Sequence, residues 1–195
     1  MPEQVLLADD HSINDDGILL RQVKPTPVRQ NPGIDYANAG MDGGPRIRGG
    51  AFQLASPEVV SRFGYSRPTM SFYLQHSVLE RHESVDAWAD QARPTWGLIG
   101  VGVREAREAG LLLAQDHLGQ LDDDELGVEN LSRDLAFGHS VLWVPDRADG
   151  SVVHNLPGGK QKALVRAASA RGWIRLPDPQ DPDVDPITRL LLSDP

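Results

Sequence analysis

The densest chemistry in the chain lies at Asp9, Asp10, His11, Asp15 and Asp16, where hard oxygen ligands and an imidazole share one short stretch that could hold a divalent cation. A calcium loop needs a patterned glycine and a terminal bidentate acid, and neither is present, so a polar capped loop is expected there. The other histidines, His76, His82, His117, His139 and His154, are scattered, and none forms the i, i+4 pair with an adjacent glutamate that marks a helical zinc site. His139 and Ser140 set a base beside a hydroxyl, but neighbours in a strand point to opposite faces, which argues against a dyad. With no cysteine there is no thiol nucleophile, disulfide or thiolate metal site. No catalytic constellation, metal site or cofactor follows. What remains is the chemistry of cations that could meet an anion, densest at Lys160, Lys162, Arg166 and Arg171.

Charge is arranged in blocks. The chain of 195 residues has a net charge of −9, which opposes tight nonspecific binding to nucleic acid. Leu111 to Gly150 holds nine acidic and two basic residues, whereas Ser151 to Leu176 holds Lys160, Lys162, Arg166, Arg171 and Arg175 and no acid. Pro177 to Pro195 is acidic again. Ordinary hydrophobic content of 39% and charged content of 24% fit a globular protein, and no apolar run approaches the roughly 20 residues that span a bilayer. The opening MPEQVLLADDHS is acidic where a signal peptide would be basic, so no membrane partner and a cytoplasmic location are expected.

The elements that would position these cations begin with Ser56 to Gln75, SPEVVSRFGYSRPTMSFYLQ. Ser56 and Pro57 suit the start of a first helix with Val59, Val60 and Phe63 inward. Gly64 suits a tight turn, and Ser66, Arg67 and Pro68 suit the start of a second helix with Met70, Tyr73 and Leu74 inward. Over about twenty residues this resembles the helix-turn-helix units of bacterial regulators and recombinases. The resemblance implies that Ser66, Arg67, Thr69 and Ser71 face a major groove. Phe72, on the same face, departs from the polar residue usual there and suits a protein partner, as do Trp88 and Trp96.

Lys160 to Arg171 reads as an amphipathic helix with Ala163, Leu164, Ala167 and Ala168 inward, ended by Gly172. Trp173 to Leu176, the loop Pro177 to Pro186 and Ile187 to Leu192 follow as strand, loop and strand. This segment resembles the recognition helix and wing of winged-helix domains, which implies DNA contacts from Lys160, Lys162, Arg166 and Arg171.

Three regions are expected. Residues 1–50, rich in Pro and Gly apart from a short strand at Gly17 to Val23, read as an extended arm. Residues 51–121 read as mostly helical, with helices after the motif through Val78, Leu79, Val85, Trp88, Ala89 and Ala92, and from Val103 to Leu113. The run Gly97 to Val103 lacks the third glycine of a dinucleotide-binding loop and suits a buried strand or a close helix contact. Residues 122–195 read as an α+β region, with a hairpin of Val141 to Val144 and Ser151 to Asn155 about an Asp149-Gly150 turn. The fold class expected is therefore α+β, with a helical centre containing the helix-turn-helix-like unit and C-terminal hairpin elements with a helix. The function expected is non-enzymatic binding of double-stranded DNA in regulation. The alternative is an assembly subunit of a larger, for example phage-like, particle whose residues 1–50 wrap neighbouring protein subunits.

Overall fold

Alternation in the run ILLRQV puts Leu19, Arg21 and Val23 on one side of an extended segment and Ile18, Leu20 and Gln22 on the other. This segment is strand β1, Ile18–Val23. The computed structural model of the chain describes residues 7–25, 33–40, 44–55, 64–116, 118 and 132–178. After β1 come β2 (Ile34–Ala39), β3 (Pro45–Ile47), a 3₁₀ turn at Gly49–Ala51 and β4 (Met70–Leu74). Helices α1 (Gln75–Arg81) and α2 (Val85–Ala92) lead to β5 (Gly97–Gly102), α3 (Val103–Glu108) and β6 (Leu112–Gln115). A short helix α4 (Arg133–Ala136), β7 (His139–Trp143), helix α5 (Gly158–Arg171) and β8 (Trp173–Arg175) complete the described elements.

Six strands make one antiparallel sheet in the order β6-β7-β4-β1-β5-β8, and β2 and β3 form a separate antiparallel ribbon. The chain is therefore α+β, with β1 inside the large sheet rather than at its edge. One core gathers Leu19, Val23, Phe72, Ile99, Val101 and Leu142 with Val103 and Ala106 of α3, Leu164 and Ala168 of α5, and Ile34 and Ile47 of the ribbon. A second core joins Leu20 and Leu98 to Val78 of α1, Trp88, Ala89 and Ala92 of α2, and Leu135 of α4. Trp88 donates its Nε1–H to the Leu135 carbonyl at 3.1 Å, and its ring lies 4.7 Å from that of Tyr73.

Several expectations are corrected. The second helix expected from Ser66 to Leu74 is instead an extended approach and strand β4; the first, Ser56 to Phe63, lies outside the described residues. The run MSFYL satisfies two periods at once, and the strand buries Met70, Phe72 and Leu74 together where a helix would bury Met70, Tyr73 and Leu74. Phe and Tyr favour the pleated surface, and the sheet decides between the periods. Gly64 does take positive φ, at +70°, but the chain it turns leads into a strand. Phe72 and Trp88, expected as exposed anchors, are fully buried core residues. The described part of residues 1–50 is no extended arm, since β1, β2 and β3 all pack into the chain's own cores. Residues 51–121 are not mainly helical, because β4, β5 and β6 alternate with the helices. Val103 to Leu113 divides into α3 and β6 at Gly110, whose φ is +73°. The Asp149-Gly150 turn forms, with Gly150 at φ +78°, yet residues 151–155 form no strand and β7 pairs with β4 and β6 instead. Likewise β8 pairs with β5, and the second wing strand, Ile187 to Leu192, lies outside the described residues.

The placement of Phe72 sets a test. Its replacement by alanine should lower unfolding free energy by about 3–5 kcal/mol, as for a core aromatic. A loss below about 0.5 kcal/mol in urea melts is the signature of a surface residue and would return Phe72 to an exposed face.

Candidate functional site

Helix α5 sorts its basic residues by the geometry of 3.6 residues per turn. Leu164 and Ala168 face the core, and Lys162 and Arg166, about half a turn away, are exposed one above the other. Lys160 falls near the core side, and its Nζ donates to the carbonyls of Ala109 and Gly110, 2.7 Å from each. There it satisfies the orphaned C-terminal end of α3. Arg171 is likewise committed, its Nη2 lying 3.0 Å from Glu105 Oε2. Of the four cations expected to meet DNA from this helix, two are presented outward and two tie α5 to α3.

The start of α5 is electropositive. Pro157 at the N-cap supplies no side-chain acceptor, the first turn holds no acid, and Gly158 and Gly159 leave their amides unshielded by a Cβ. A helix built for stability would carry an Asp or Glu there to meet the positive end of its dipole, whereas this one carries Lys160 and Lys162. Beside this turn is an open, polar cleft of about 360 Å³ lined by Phe52, Gln53, Leu54, His154, Asn155, Leu156 and Gln161. Gln161 Nε2 donates to the carbonyls of Gly49 and Phe52 at 2.9 and 3.1 Å, fixing one wall.

The residues of the expected recognition helix do not gather into a comparable face. Arg67 Nη1 pairs with Asp146 Oδ1 at 2.9 Å, and Thr69 is buried. Ser66 is half-buried and only Ser71 is exposed. Trp96 is half-buried, with the Arg93 guanidinium 5.2 Å from its ring centre. The acidic stretch at 9–16 is used locally. Asp9 accepts from the Leu113 amide and Asp10 from Ser12, while Asp15 pairs with Arg107 and Asp16 with Arg104. Among the described residues no three His, Asp or Glu side chains converge on a metal position.

A polar cluster that the sequence reading missed lies under the β6–β7 end of the sheet. Asp116 accepts from the Tyr65 hydroxyl, stands 2.7 Å from His139 Nδ1, and takes the Leu118 amide at 3.1 Å. The side chains of His139 and Asp116 are 5% and 0% exposed. Beside an ionised carboxylate Nδ1 carries the proton, so three donors converge on one buried acid. Ser140 points elsewhere, donating to the Gly138 carbonyl at 3.1 Å, as opposite strand faces require. No local signal marks this cluster, because its members come from three separated segments and meet only once β6 pairs with β7.

Comparison with protein families, with curated proteins and with solved structures gives no match to this chain. No helix among the described residues is long and apolar enough to cross a membrane.

Burial raises the pKa of Asp116, but His139, Tyr65 and the Leu118 amide outweigh it and leave the carboxyl below its ordinary value of 3.8. A depressed folded pKa contributes stability that is complete above the unfolded value and is lost as pH falls through the folded one. Urea melts of the wild type should therefore weaken on acidification below about pH 4. In Asp116→Asn that loss should be smaller, on top of a cost of about 1–3 kcal/mol at neutral pH. Equal acid limbs in the two proteins would remove Asp116 as a source of acid sensitivity.

Proposed function

We propose that this chain is a non-enzymatic binding protein that engages the phosphate backbone of double-stranded DNA through the outward face of α5. The observation that carries this reading is the departure of α5 from the electrostatics of a stable helix. Positive side chains stand at the positive end of the dipole, with glycines and no capping side chain, next to an open polar cleft. Backbone amides and a positive dipole end are the groups that meet phosphate at helix starts, and Lys162 and Arg166 extend the same potential one turn along the helix.

The contact is electrostatic rather than sequence-reading. Met70–Leu74 is a strand inside the sheet, so the segment offers no recognition helix for a major groove, and Arg67 is held by Asp146. With a net charge of −9 the rest of the molecule repels DNA, which makes the interaction weak and steeply dependent on salt. Regulation by such a protein would rest on occupancy of DNA rather than on a defined operator.

Anisotropy of a labelled random duplex at several salt concentrations tests the proposal. Binding in the range of about 10⁻⁴ to 10⁻⁶ M is expected near physiological salt, and Lys162→Glu with Arg166→Glu should abolish it. Each neutralised phosphate adds about 0.9 to the salt slope, so the single variant Lys162→Ala should flatten the slope by about one unit. Undiminished binding in the double variant, or none by the wild type at low salt, would overturn the assignment.

A further inference from the structure

Arg21 occupies a core position. Leu19 and Val23, which flank it on the same face of β1, both belong to the main hydrophobic core. Across the sheet its neighbour on β5 is Ile99, and one step along the β1–β4 register brings it opposite Phe72, both fully buried. Its guanidinium lies 5.2 Å from the Phe72 ring centre. An apolar residue is what the alternating pattern calls for here.

Its partners do not balance its charge. Nε donates to the Ala51 carbonyl and Nη1 to the Ser71 carbonyl at 2.7 Å, and Nη2 has no partner among the described residues. No described carboxylate pairs with it: Asp35, the buried acid of the β2–β3 ribbon, is taken by Arg48 at 2.7 Å. Desolvation draws the Arg21 pKa down to about 10, which leaves the group charged at neutral pH. A cation kept among apolar side chains without a counter-ion is costly, and such residues are almost always paired. The residue is half-buried rather than sealed.

We propose that Arg21 is the anchor of an oxyanion site on the α5-covered face of the sheet, where a phosphate or carboxylate group of a small ligand supplies the missing negative charge. The carbonyls of Ala51 and Ser71 hold the fork in one orientation, and Phe72 supports its plane, so the second N–H of Nη1 and those of Nη2 are pre-positioned for a planar pair of oxygens. This site is independent of the exposed face of α5, because it uses neither Lys162 nor Arg166.

The test is thermal melting of the full chain titrated with inorganic phosphate, and separately with acetate, at constant ionic strength set by potassium chloride. The wild type should show a saturable rise in melting temperature with at least one of the two anions, and the larger response names the ligand class. Arg21→Met should lose that rise and melt no lower than the wild type in the chloride buffer without phosphate or acetate, since an uncompensated cation is being replaced by an apolar side chain of similar length. Arg21→Lys, which keeps charge but not the fork, should retain a smaller rise, and it carries the test if Arg21→Met does not fold. Lys162→Glu with Arg166→Glu should keep the full rise, which separates this site from α5. An equal rise in the wild type and the Arg21 variants, or no saturable rise in the wild type, would overturn the proposal and leave Arg21 as a tie between strands.

Discussion

The fold depends on β1 being paired along both edges and covered on both faces. Its six residues run antiparallel to all six of β5, and on the other side Leu19 and Leu20 register with Leu74 and Tyr73 of β4. The partners lie about 50 and about 80 residues along the chain, so the central pairing is non-local and its loop-closure entropy precedes any gain from burial. Once it forms, each face needs a cover. Helices α3 and α5 with the β2–β3 ribbon supply one, and α1, α2 and α4 supply the other. An N-terminal segment used in this way is committed to the chain's own core, which is why the described part of residues 1–50 is packed rather than extended.

What could be read from the sequence was local, and what could not was long-range. The end of α5 was legible because Gly172 is a backbone signal and takes positive φ, at +77°, whereas Gly158 and Gly159, expected to precede a helix starting at Lys160, are its first two residues. The run Gly97 to Val103 left a strand or a helix contact open, and pairing with β1 and β8 made it a strand. MSFYL was misread for a reason that sequence alone cannot remove. Met70 and Leu74 lie four apart, which fits a helix face, while Met70, Phe72 and Leu74 alternate, which fits a strand. Only the presence of β1 and β7 on either side decides it. The Asp149-Gly150 turn shows the converse limit: favourable turn chemistry forms the turn but cannot create a second strand when β7 already has partners on both edges.

The basic block from Ser151 to Leu176 illustrates why charge counted along a chain overstates charge offered to a ligand. Lys160 satisfies two carbonyls of the α3 terminus, Arg171 pairs with Glu105, and Arg175 Nη1 lies 2.7 Å from Asp90 Oδ1. Lys162 and Arg166 are exposed and carry no ion pair among the described residues. The helical wheel makes this division, since the period that places Leu164 and Ala168 in the core also turns Lys160 and Arg171 toward the body and the other two away. Stability and recognition are thus assigned to different cations of one helix, and the cost of an uncapped, positively charged first turn falls where α5 is most exposed.

Two charged groups at the sheet, the buried Asp116 and the half-buried Arg21, are treated in opposite ways. Asp116 is surrounded by donors, from Tyr65, His139 and the Leu118 amide, so its charge is held by hydrogen bonds that favour ionisation against the penalty of burial. Arg21 meets only neutral carbonyls and a ring face, so its charge is oriented but not neutralised. Were both groups purely structural, the same economy of design should apply to each, and an apolar side chain at position 21 would fill the row between Ile99 and Phe72 without desolvating a cation. The asymmetry leaves an unspent interaction at Arg21, on the face where the Gly49–Ala51 turn and the first turn of α5 are linked by Gln161.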